Sequence, residues 1–173
     1  YEDLIDGEDG VYDWPQFDEK TAAGLCYTSG TTGNPKGVLY SHRSNFLHTL
    51  VATGADSATK ATAADSILPV VPMFHANAWG VPYAAAAVGS KLVLNGPNFE
   101  GDVLQKLIED EQITLTAAVP TVWLGLLAYL QSSGKRVDCL QRVAIGGSAA
   151  PRSMIQAFED DYQVEVIHAW GMT

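Results

Sequence analysis

Apolar residues along this chain fall into short runs that alternate with longer segments of helical periodicity. The strand-like runs lie at 24–28, 37–40, 66–70, 91–94, 114–118, 142–145 and 164–167. Most of the segments between them repeat apolar side chains three or four positions apart, as one face of a helix does. This alternation predicts an α/β fold in which parallel strands carry helices on both faces.

Capping residues indicate where helices begin. Ser41 can cap a helix that runs through Thr49 and carries Phe46, Leu47 and Leu50 on one side. The other predicted starts are Glu100 or Asp102, Pro120 (helix 121–130) and Pro151 (helix 152–161). In parallel sheets ligands bind beyond the carboxyl ends of the strands, so we expect a site in the loops that follow the strands.

The loop after the first strand, Thr28-Ser-Gly-Thr-Thr-Gly-Asn-Pro-Lys-Gly37, is rich in glycine and hydroxyl residues. Glycines let the backbone approach a ligand closely and aim successive N–H groups at an anion. The hydroxyls add uncharged donors, Lys36 adds a mobile cation, and a Ser or Thr oxygen can reach magnesium. The run therefore predicts a phosphate-binding loop.

A Walker A loop and a plain surface loop both fit this run less well. A Walker A loop counted from Gly30 requires Gly-Lys-Ser/Thr where this chain has Pro35-Lys36-Gly37. A flexible Ser/Thr/Gly surface loop is the simplest alternative. The defined Pro35-Lys36-Gly37 exit and the immediate return to an apolar run favour phosphate binding.

Three more stretches follow in order along the chain. They are Pro72-Met-Phe-His-Ala-Asn-Ala-Trp-Gly80, Gly146-Gly-Ser-Ala-Ala-Pro151 and His168-Ala-Trp-Gly-Met-Thr173. Together with residues 27–37, these motifs resemble the adenylate-forming superfamily of acyl-CoA synthetases, luciferases and peptide-synthetase adenylation domains. The resemblance runs from about residue 20 onward and is closest to medium- and long-chain fatty acyl-CoA synthetases and their alkylthio-propionate relatives. It implies part of an αβαβα-type N-terminal domain, with parallel-rich sheets flanked by helices.

The resemblance also implies a role for each motif. ATP would be bound by Thr28, Ser29, Gly30, Thr31, Thr32, Gly33, Lys36, Gly147, Ser148, Ala149, His168, Ala169, Trp170, Gly171, Met172 and Thr173. The acyl substrate would contact His75, Asn77, Trp79 and Gly147. Lys36 and His75 would be the catalytic residues. Thr28 would help to hold Mg²⁺ with a glutamate just beyond Thr173.

Several of these residues also suit a simpler role. Without the resemblance, His75 is better interpreted as a helix-terminal histidine with a satisfied hydrogen bond, and Trp79 fits the core equally well. The resemblance instead places His75 at the acyl carbonyl and lets Trp79 gate the acyl tunnel. Trp170 stands where the family more often has tyrosine and still offers a flat face to adenine. Ser148 lacks the last glycine of a nucleophile elbow, because Ala150 stands there.

The implied activity is a two-step ligation. A carboxylate attacks the α-phosphate of ATP and releases pyrophosphate, and the thiol of coenzyme A then displaces AMP. Small and apolar residues between Met73 and Ser90 suit an aliphatic acid, whereas an amino acid would want a carboxylate near Asn77. The alternatives are another adenylate-forming enzyme, of the amino-acid or luciferase type, and a non-catalytic nucleotide-binding piece.

Because the family's ribose-binding aspartate and C-terminal domain are missing, we expect an internal fragment that is inactive alone.

Charge and composition limit the partners. The net charge of −10 argues against nucleic acid. Eight of the twenty acidic residues lie in 1–19, so residues 1–20 are predicted to be a solvated acidic connection, with a basic partner surface as the alternative. Residues 21–173 are then a partial AMP-binding domain. No apolar run approaches the ~20 residues of a membrane span.

Cysteine content predicts the compartment. Cys26 and Cys139 lie far apart and outside any metal-ligand spacing. A reduced, cytoplasmic protein is the simplest fit. The sequence leaves open a peripheral membrane contact and a homodimeric parent.

Overall fold

The computed structural model describes residues 2–28, 33–54 and 56–173. The strands in this part are β1 (Ala22–Tyr27), β2 (Gly37–Ser41), β3 (Ser66–Pro69), β4 (Lys91–Leu92), β5 (Leu115–Ala118), β6 (Arg142–Ile145) and β7 (Glu165–His168). The helices are α1 (Glu2–Ile5), α2 (His42–Thr53), α3 (Ala76–Trp79), α4 (Val81–Val88), α5 (Gly101–Glu111), α6 (Pro120–Ser133) and α7 (Arg152–Gln156). A π-helical segment, Ala157–Asp161, continues α7.

A five-stranded sheet forms the centre of the structure. Its strand order is β4-β3-β5-β6-β7, and every neighbouring pair is parallel. Every residue of β3, β5 and β6 is buried. Strands buried on both faces read as continuous apolar runs, which is why the sequence located them well. The predicted α/β fold with a parallel-rich sheet is confirmed.

The first two strands correct part of that prediction. β1 and β2 pair antiparallel in a two-stranded sheet of their own, with Leu25 opposite Leu39 and Tyr27 opposite Gly37. A parallel crossover needs about a dozen residues or more, and residues 28–36 are too few. The predicted phosphate loop therefore joins the two strands of a hairpin and does not follow a strand of the parallel sheet.

Helices cover both faces of the parallel sheet. Leu68, Val143 and Ile145 belong to the larger core cluster, which includes Trp123 and Phe158. The rings of Trp123 and Phe158 meet edge to face, with centroids 5.8 Å apart. The alternating strand residues Ile67, Leu115, Ala117 and Ala144 belong instead to the two smaller clusters. Because side chains alternate along a strand, these clusters lie on opposite faces.

A buried ion pair joins segments at the amino ends of the strands. The guanidinium of Arg142, the first residue of β6, pairs with Asp65 just before β3. Nη1 of Arg142 also donates to the carbonyl oxygens of Thr59 at 2.7 Å and Lys60 at 3.0 Å. One side chain thus fixes residues 59–65 to the sheet. We refer to Asp65, Arg142 and the residues that bond to them, Thr59, Lys60, Thr62 and Thr114, as the amino-edge clasp.

The clasp also perturbs the acidity of Asp65. Thr114 Oγ1 donates to Asp65 Oδ1 at 2.6 Å, and the backbone N–H of Thr62 donates to Oδ2 at 2.8 Å. Burial by itself would raise the pKa of Asp65. The hydrogen bonds from Thr114 and Thr62 and the charge of Arg142 outweigh it and hold the pKa below its ordinary value of 3.8. The carboxylate is therefore ionised in the folded protein.

Two helix predictions need revision at their C-terminal ends, since the helix predicted to run through Thr49 continues to Thr53 and the one predicted over 152–161 changes form. Ser41 caps α2 as predicted, and its Oγ accepts from the N–H of Ser44 at 3.1 Å. The apolar side of that helix is exposed, with Phe46 at 63% and Leu50 at 52% of full exposure. The helix predicted over 152–161 is α-helical only through Gln156 and becomes π-helical after it.

The acidic segment before the hairpin is exposed wherever the structure describes it. Its residues 2–20 contain only the short helix α1 as regular structure. Its end contacts the start of α2, where Glu19 pairs with Arg43 and the Phe17 ring lies 4.5 Å from that of His42. These contacts fix where the segment meets the hairpin and helix.

Candidate functional site

The loops after β6 and β7 adjoin at the carboxyl edge of the sheet. The N–H of Ala150 donates to Nε2 of His168 at 3.3 Å, and the N–H of Ala169 donates to the carbonyl of Ile145 at 2.8 Å. Because Nε2 accepts, a neutral His168 carries its proton on Nδ1. Two of the predicted nucleotide motifs, 146–151 and 168–173, therefore form one surface.

The segment 72–80 reaches the same surface through Trp79. A methyl group placed on Gly146 would lie 3.0 Å from Cη2 of the Trp79 indole and 3.3 Å from the carbonyl oxygen of Ala169. The indole thus lies directly on the Gly146 backbone. Gly147, the next residue, has φ +81°, and a methyl there would lie 3.0 Å from Val119. Glycine is needed at 146 for close approach and at 147 also for its backbone conformation.

The backbone of α3 is left-handed. Its four residues Ala76, Asn77, Ala78 and Trp79 have φ of 48°, 52°, 49° and 56°, and Gly80 continues the turn at 74°. The N–H of Ala78 donates to the carbonyl of His75, and that of Gly80 donates to the carbonyl of Asn77, both at 3.0 Å. Left-handed conformation costs an L-residue about 1–2 kcal/mol. Such strain persists only where the surroundings impose it, most often at functional sites.

Packing on several sides holds this left-handed turn. Ala78 is fully buried in the cluster with Val71, Ala117 and Ala144. The imidazole of His48, from α2, covers Gly80 so closely that a methyl there would lie 2.7 Å from Nδ1. The turn is thereby fixed against both the sheet and α2.

The side chain of Asn77 connects the turn to the hairpin. Its Oδ1 lies 3.5 Å from Sγ of Cys26, which is 2% exposed, and a methyl on Gly24 would lie 3.3 Å from the same oxygen. Gly24 and Cys26 both lie on β1, the strand that leads into the predicted phosphate loop. The hairpin, the left-handed turn and the loops after β6 and β7 therefore form one continuous set of contacts.

The base of the predicted phosphate loop is closed by Thr28 and Lys36. The N–H of Thr28 donates to the carbonyl of Lys36 at 2.9 Å, and the N–H of Lys36 donates to Oγ1 of Thr28 at 3.2 Å. The Lys36 side chain is exposed, and Gly33 has φ +143°. The predicted phosphate ligands Ser29, Gly30, Thr31 and Thr32 lie outside the described residues.

The predicted residues differ in how far the fold brings them together. Asn77, Trp79, Gly147, His168 and Ala169 lie in or beside the set of contacts described above. The other described members are exposed or partly exposed: Thr28, Gly33, Lys36, His75, Ser148, Ala149, Trp170, Gly171, Met172 and Thr173. Trp170 in particular is 87% exposed, so its ring offers a free face. His75 stands at the N-cap position of α3 without a side-chain capping bond.

Sequence reasoning missed two contributors to the site, Gly24 and His48, which hold the turn through close contacts that no short motif announces. Gly146 lies in the predicted motif 146–151, but its contact with Trp79 was not predicted. An isolated glycine inside a predicted strand often marks a close approach, so Gly24 carried the one available signal. His48 gave none, because its partner Gly80 lies far from it in sequence.

The residues around the loop can contribute little to metal binding by themselves. No cluster of three or more His, Cys, Asp or Glu suited to a metal occurs within residues 2–28, 33–54 and 56–173. Thr28 Oγ1 accepts one hydrogen bond and keeps a second lone pair for a cation. This fits Mg²⁺ held chiefly by phosphate oxygens and water, with few protein ligands.

Within residues 2–28, 33–54 and 56–173, the helices are all too short or too polar to cross a membrane.

Comparison with known proteins agrees with this arrangement. A family described as "AMP-binding enzyme" matches residues 3–173. The medium-chain-fatty-acid–CoA ligase of Ectopseudomonas oleovorans is 58% identical over 100% of this chain and 32% of that protein. The 3-methylmercaptopropionyl-CoA ligase of Ruegeria pomeroyi is 51% identical, with the same coverage.

A solved structure agrees as well. A long-chain-fatty-acid-CoA ligase from Archaeoglobus fulgidus superposes with a TM-score of 0.73 at 27% identity, over 86% of this chain and 31% of that one. The chain spans about a third of the length of the curated relatives it matches. The family resemblance carried by the sequence motifs is confirmed, and the chain belongs to the AMP-binding enzyme family.

Proposed function

We propose that this chain forms the acyl- and nucleotide-binding centre of an ATP-dependent, AMP-forming acid–thiol ligase. The contact between Trp79 and Gly146 carries the proposal. It sets the predicted acyl-binding segment directly on the predicted nucleotide turn. An adenylation site needs this closeness, because the acid must meet the α-phosphate in a defined geometry.

In the first step, a carboxylate attacks the α-phosphate of ATP and pyrophosphate leaves. Backbone donors and hydroxyls of residues 28–33, with the Lys36 ammonium, neutralise the charge that develops on the pyrophosphate. When bound, Mg²⁺ would supply positive charge that offsets the charge of the phosphates, and Thr28 would be among the residues that hold it. The protein acts by placing charges and forms no covalent bond.

The two ends of the adenylate have separate binding residues in this proposal. At the acyl end, His75 faces the carbonyl and Trp79 and Gly147 border the acid, while the amide of Asn77 is turned towards Cys26 on β1. At the nucleotide end, the adenine and phosphates are bound by Gly147, Ser148, Ala149, His168, Ala169, Trp170, Gly171, Met172 and Thr173. The exposed ring of Trp170 supports adenine stacking, since nothing in the described residues covers it.

The proposed substrate is a fatty or other aliphatic acid. The two relatives at 58% and 51% identity are named for a medium-chain fatty acid and for 3-methylmercaptopropionate, both with aliphatic chains. The small residues around Trp79 agree, although Ala78, Ala84 and Ala85 are buried as core. In the second step coenzyme A displaces AMP.

The proposal extends to the setting of the enzyme. We place it in the cytoplasm, with the acid, ATP and coenzyme A as its small-molecule partners. Residues 1–20 serve as the acidic connection and 21–173 as part of the AMP-binding domain.

Pyrophosphate exchange by the full-length protein tests the proposal. Acids of four to sixteen carbons should support exchange of labelled pyrophosphate into ATP, and amino acids should not. Replacing Lys36 by alanine should slow exchange about 100-fold or more, as expected for loss of one preorganised charge. The matched control is Lys20→Ala, which removes an exposed lysine just before the same hairpin. Exchange with amino acids alone, or none at all by folded protein, would overturn the proposal.

A further inference from the structure

We propose that Asn77 is a positioning residue that aligns the acyl end of the site with the phosphate loop. It does so by fixing the left-handed turn against strand β1. The proposal rests on the adenylation function above and gives Asn77 an indirect part in it. Three features of the structure lead to it.

The first feature is the backbone. Asn77 is the second of four consecutive left-handed residues, and asparagine is among the L-residues that tolerate this conformation best. Alanine stands on both sides of it, at positions where alanine has no such tolerance. A backbone preference alone would make Asn77 structural, so the side-chain contacts decide its role.

The second feature is the direction of the amide. Asn77 is half-buried, and its Oδ1 lies within reach of the Cys26 thiol, at 3.5 Å. The missing side chain of Gly24 leaves room for the same amide, which a methyl there would approach to 3.3 Å. The amide is therefore packed on β1, and it acts on the substrate through that strand.

The third feature is the packing on one side of the contact and the hydrogen bonding on the other. Ala78 is fully buried, and Trp79 lies on Gly146, so the turn cannot shift freely at the acyl end. Cys26 is two residues before Thr28, whose hydroxyl closes the phosphate loop with Lys36. Asn77 is a side chain that links the turn to β1, the strand that leads to Thr28. A displacement of about 1 Å in an active site can slow catalysis about 100-fold.

A double-mutant cycle in the full-length enzyme tests this role. Asn77→Gly removes the amide but keeps a residue that accepts the left-handed backbone. Gly24→Ala keeps the amide and forces it to move. Each should lower kcat for pyrophosphate exchange about tenfold, with KM for the acid changed less than about threefold. The double variant should be no slower than Asn77→Gly alone, because the displaced group is gone.

Two controls separate folding from positioning. Gly125→Ala adds a methyl on α6 with nothing within 4 Å and should leave exchange unchanged. Cys26→Ala deletes only the thiol partner and should slow exchange about threefold or less, with no further effect when Asn77 is glycine. Thermal unfolding of each variant identifies any that is not folded, and Cys26→Ala then carries the test.

The outcomes are distinct. Non-additive kcat effects with an unchanged KM support the positioning role. Additive effects, or a raised KM with normal kcat in Asn77→Gly, would show a direct substrate contact and overturn it. A folded wild-type enzyme without exchange would overturn the adenylation function, and the positioning role would be lost with it.

Discussion

The two edges of the parallel sheet differ in where their polar groups find partners. At the amino edge, Asp65 and Arg142 expose only 6% and 9% of their side chains, and each bonds to several protein groups. At the carboxyl edge, Ser148 is exposed and Trp170 and Met172 are more than 80% exposed. At the amino edge the Asp65–Arg142 pair is bonded within the protein, except that Nε of Arg142 has no hydrogen-bond partner among the described residues. At the carboxyl edge these side chains are exposed.

This contrast separates stability from function along the same strands. β6 begins at Arg142 in the clasp and ends next to Gly146 under Trp79. Substitution of Arg142, the first residue of β6, should therefore lower the stability of the fold. Substitution of Gly146, just after the last residue of β6, should change ligand binding. Four predictions test that division, beginning with the change expected to have the largest effect on stability.

Breaking the clasp should destabilise the protein most. Arg142→Ala leaves Asp65 as a buried charge without its partner and releases the carbonyls of Thr59 and Lys60. Removing one member of a buried pair costs about 3–5 kcal/mol. Urea unfolding measures the loss. Lys106→Ala breaks an exposed pair with Asp110 and should cost about 0.5 kcal/mol or less. Equal losses for the two variants would contradict a special role for the clasp.

Neutralising Asp65 should have a smaller effect that depends on pH. Asp65→Asn keeps the size of the side chain but removes the charge that Arg142 and Thr62 require. The expected loss near neutral pH is about 1.5–3 kcal/mol. Because the folded pKa lies below 3.8, the ionised group stabilises the protein above that value. This contribution disappears as the pH falls through the folded pKa.

Unfolding midpoints across pH check the sign of this effect. The difference between wild type and Asp65→Asn should be constant from about pH 5 to 8 and should narrow below about pH 4. A difference that widens in acid would mean that the pKa of Asp65 is raised in the folded protein.

At the carboxyl edge, Gly146→Ala should change activity more than a surface substitution does. The added methyl would meet the Trp79 indole at 3.0 Å and displace it. Overpacking of this kind costs about 1–3 kcal/mol. We expect KM for the acid to rise about tenfold. Gly125→Ala, with open space around it, should be neutral or stabilise α6 by up to about 1 kcal/mol. An unchanged KM would place Trp79 away from the acid.

Trp170→Ala should leave stability almost unchanged. The side chain is 87% exposed, so the unfolding free energy should shift by about 0.5 kcal/mol or less. Loss of a base-stacking aromatic costs about 1–3 kcal/mol, so ATP affinity should fall at least about fivefold. Trp14→Ala, at 81% exposure in the acidic segment, is the matched control and should leave ATP affinity intact. Equal ATP binding by all three proteins would exclude stacking on Trp170.

The sequence predicted the positions of the strands of the parallel sheet better than the conformation of the site. The runs at 66–70, 114–118 and 142–145 were found because strands buried on both faces are apolar throughout. Ser41 was found because capping is local chemistry. The hairpin was misassigned to the parallel sheet because a strand's apolar content says nothing of its partner. Only the short connection, 28–36, contained that information.

The left-handed turn lay beyond local prediction for another reason. Ala76 and Ala78 are strong right-handed helix formers, and their conformation opposes that preference. The forces that reverse it come from Gly146, His48 and Gly24, which are distant in sequence. The motif drew attention to the segment 72–80, but the direction of the Asn77 amide depends on the tertiary fold.

This reversal has a consequence for chirality. The path from Ala76 to Trp79 is one that D-amino acids would follow without strain, and only Gly80 is indifferent to hand. A peptide of residues 72–90 cut out of the protein would have no neighbours to impose that path. Any helix it formed would be right-handed. The left-handed conformation of residues 76–79 is therefore a property of the folded protein as a whole.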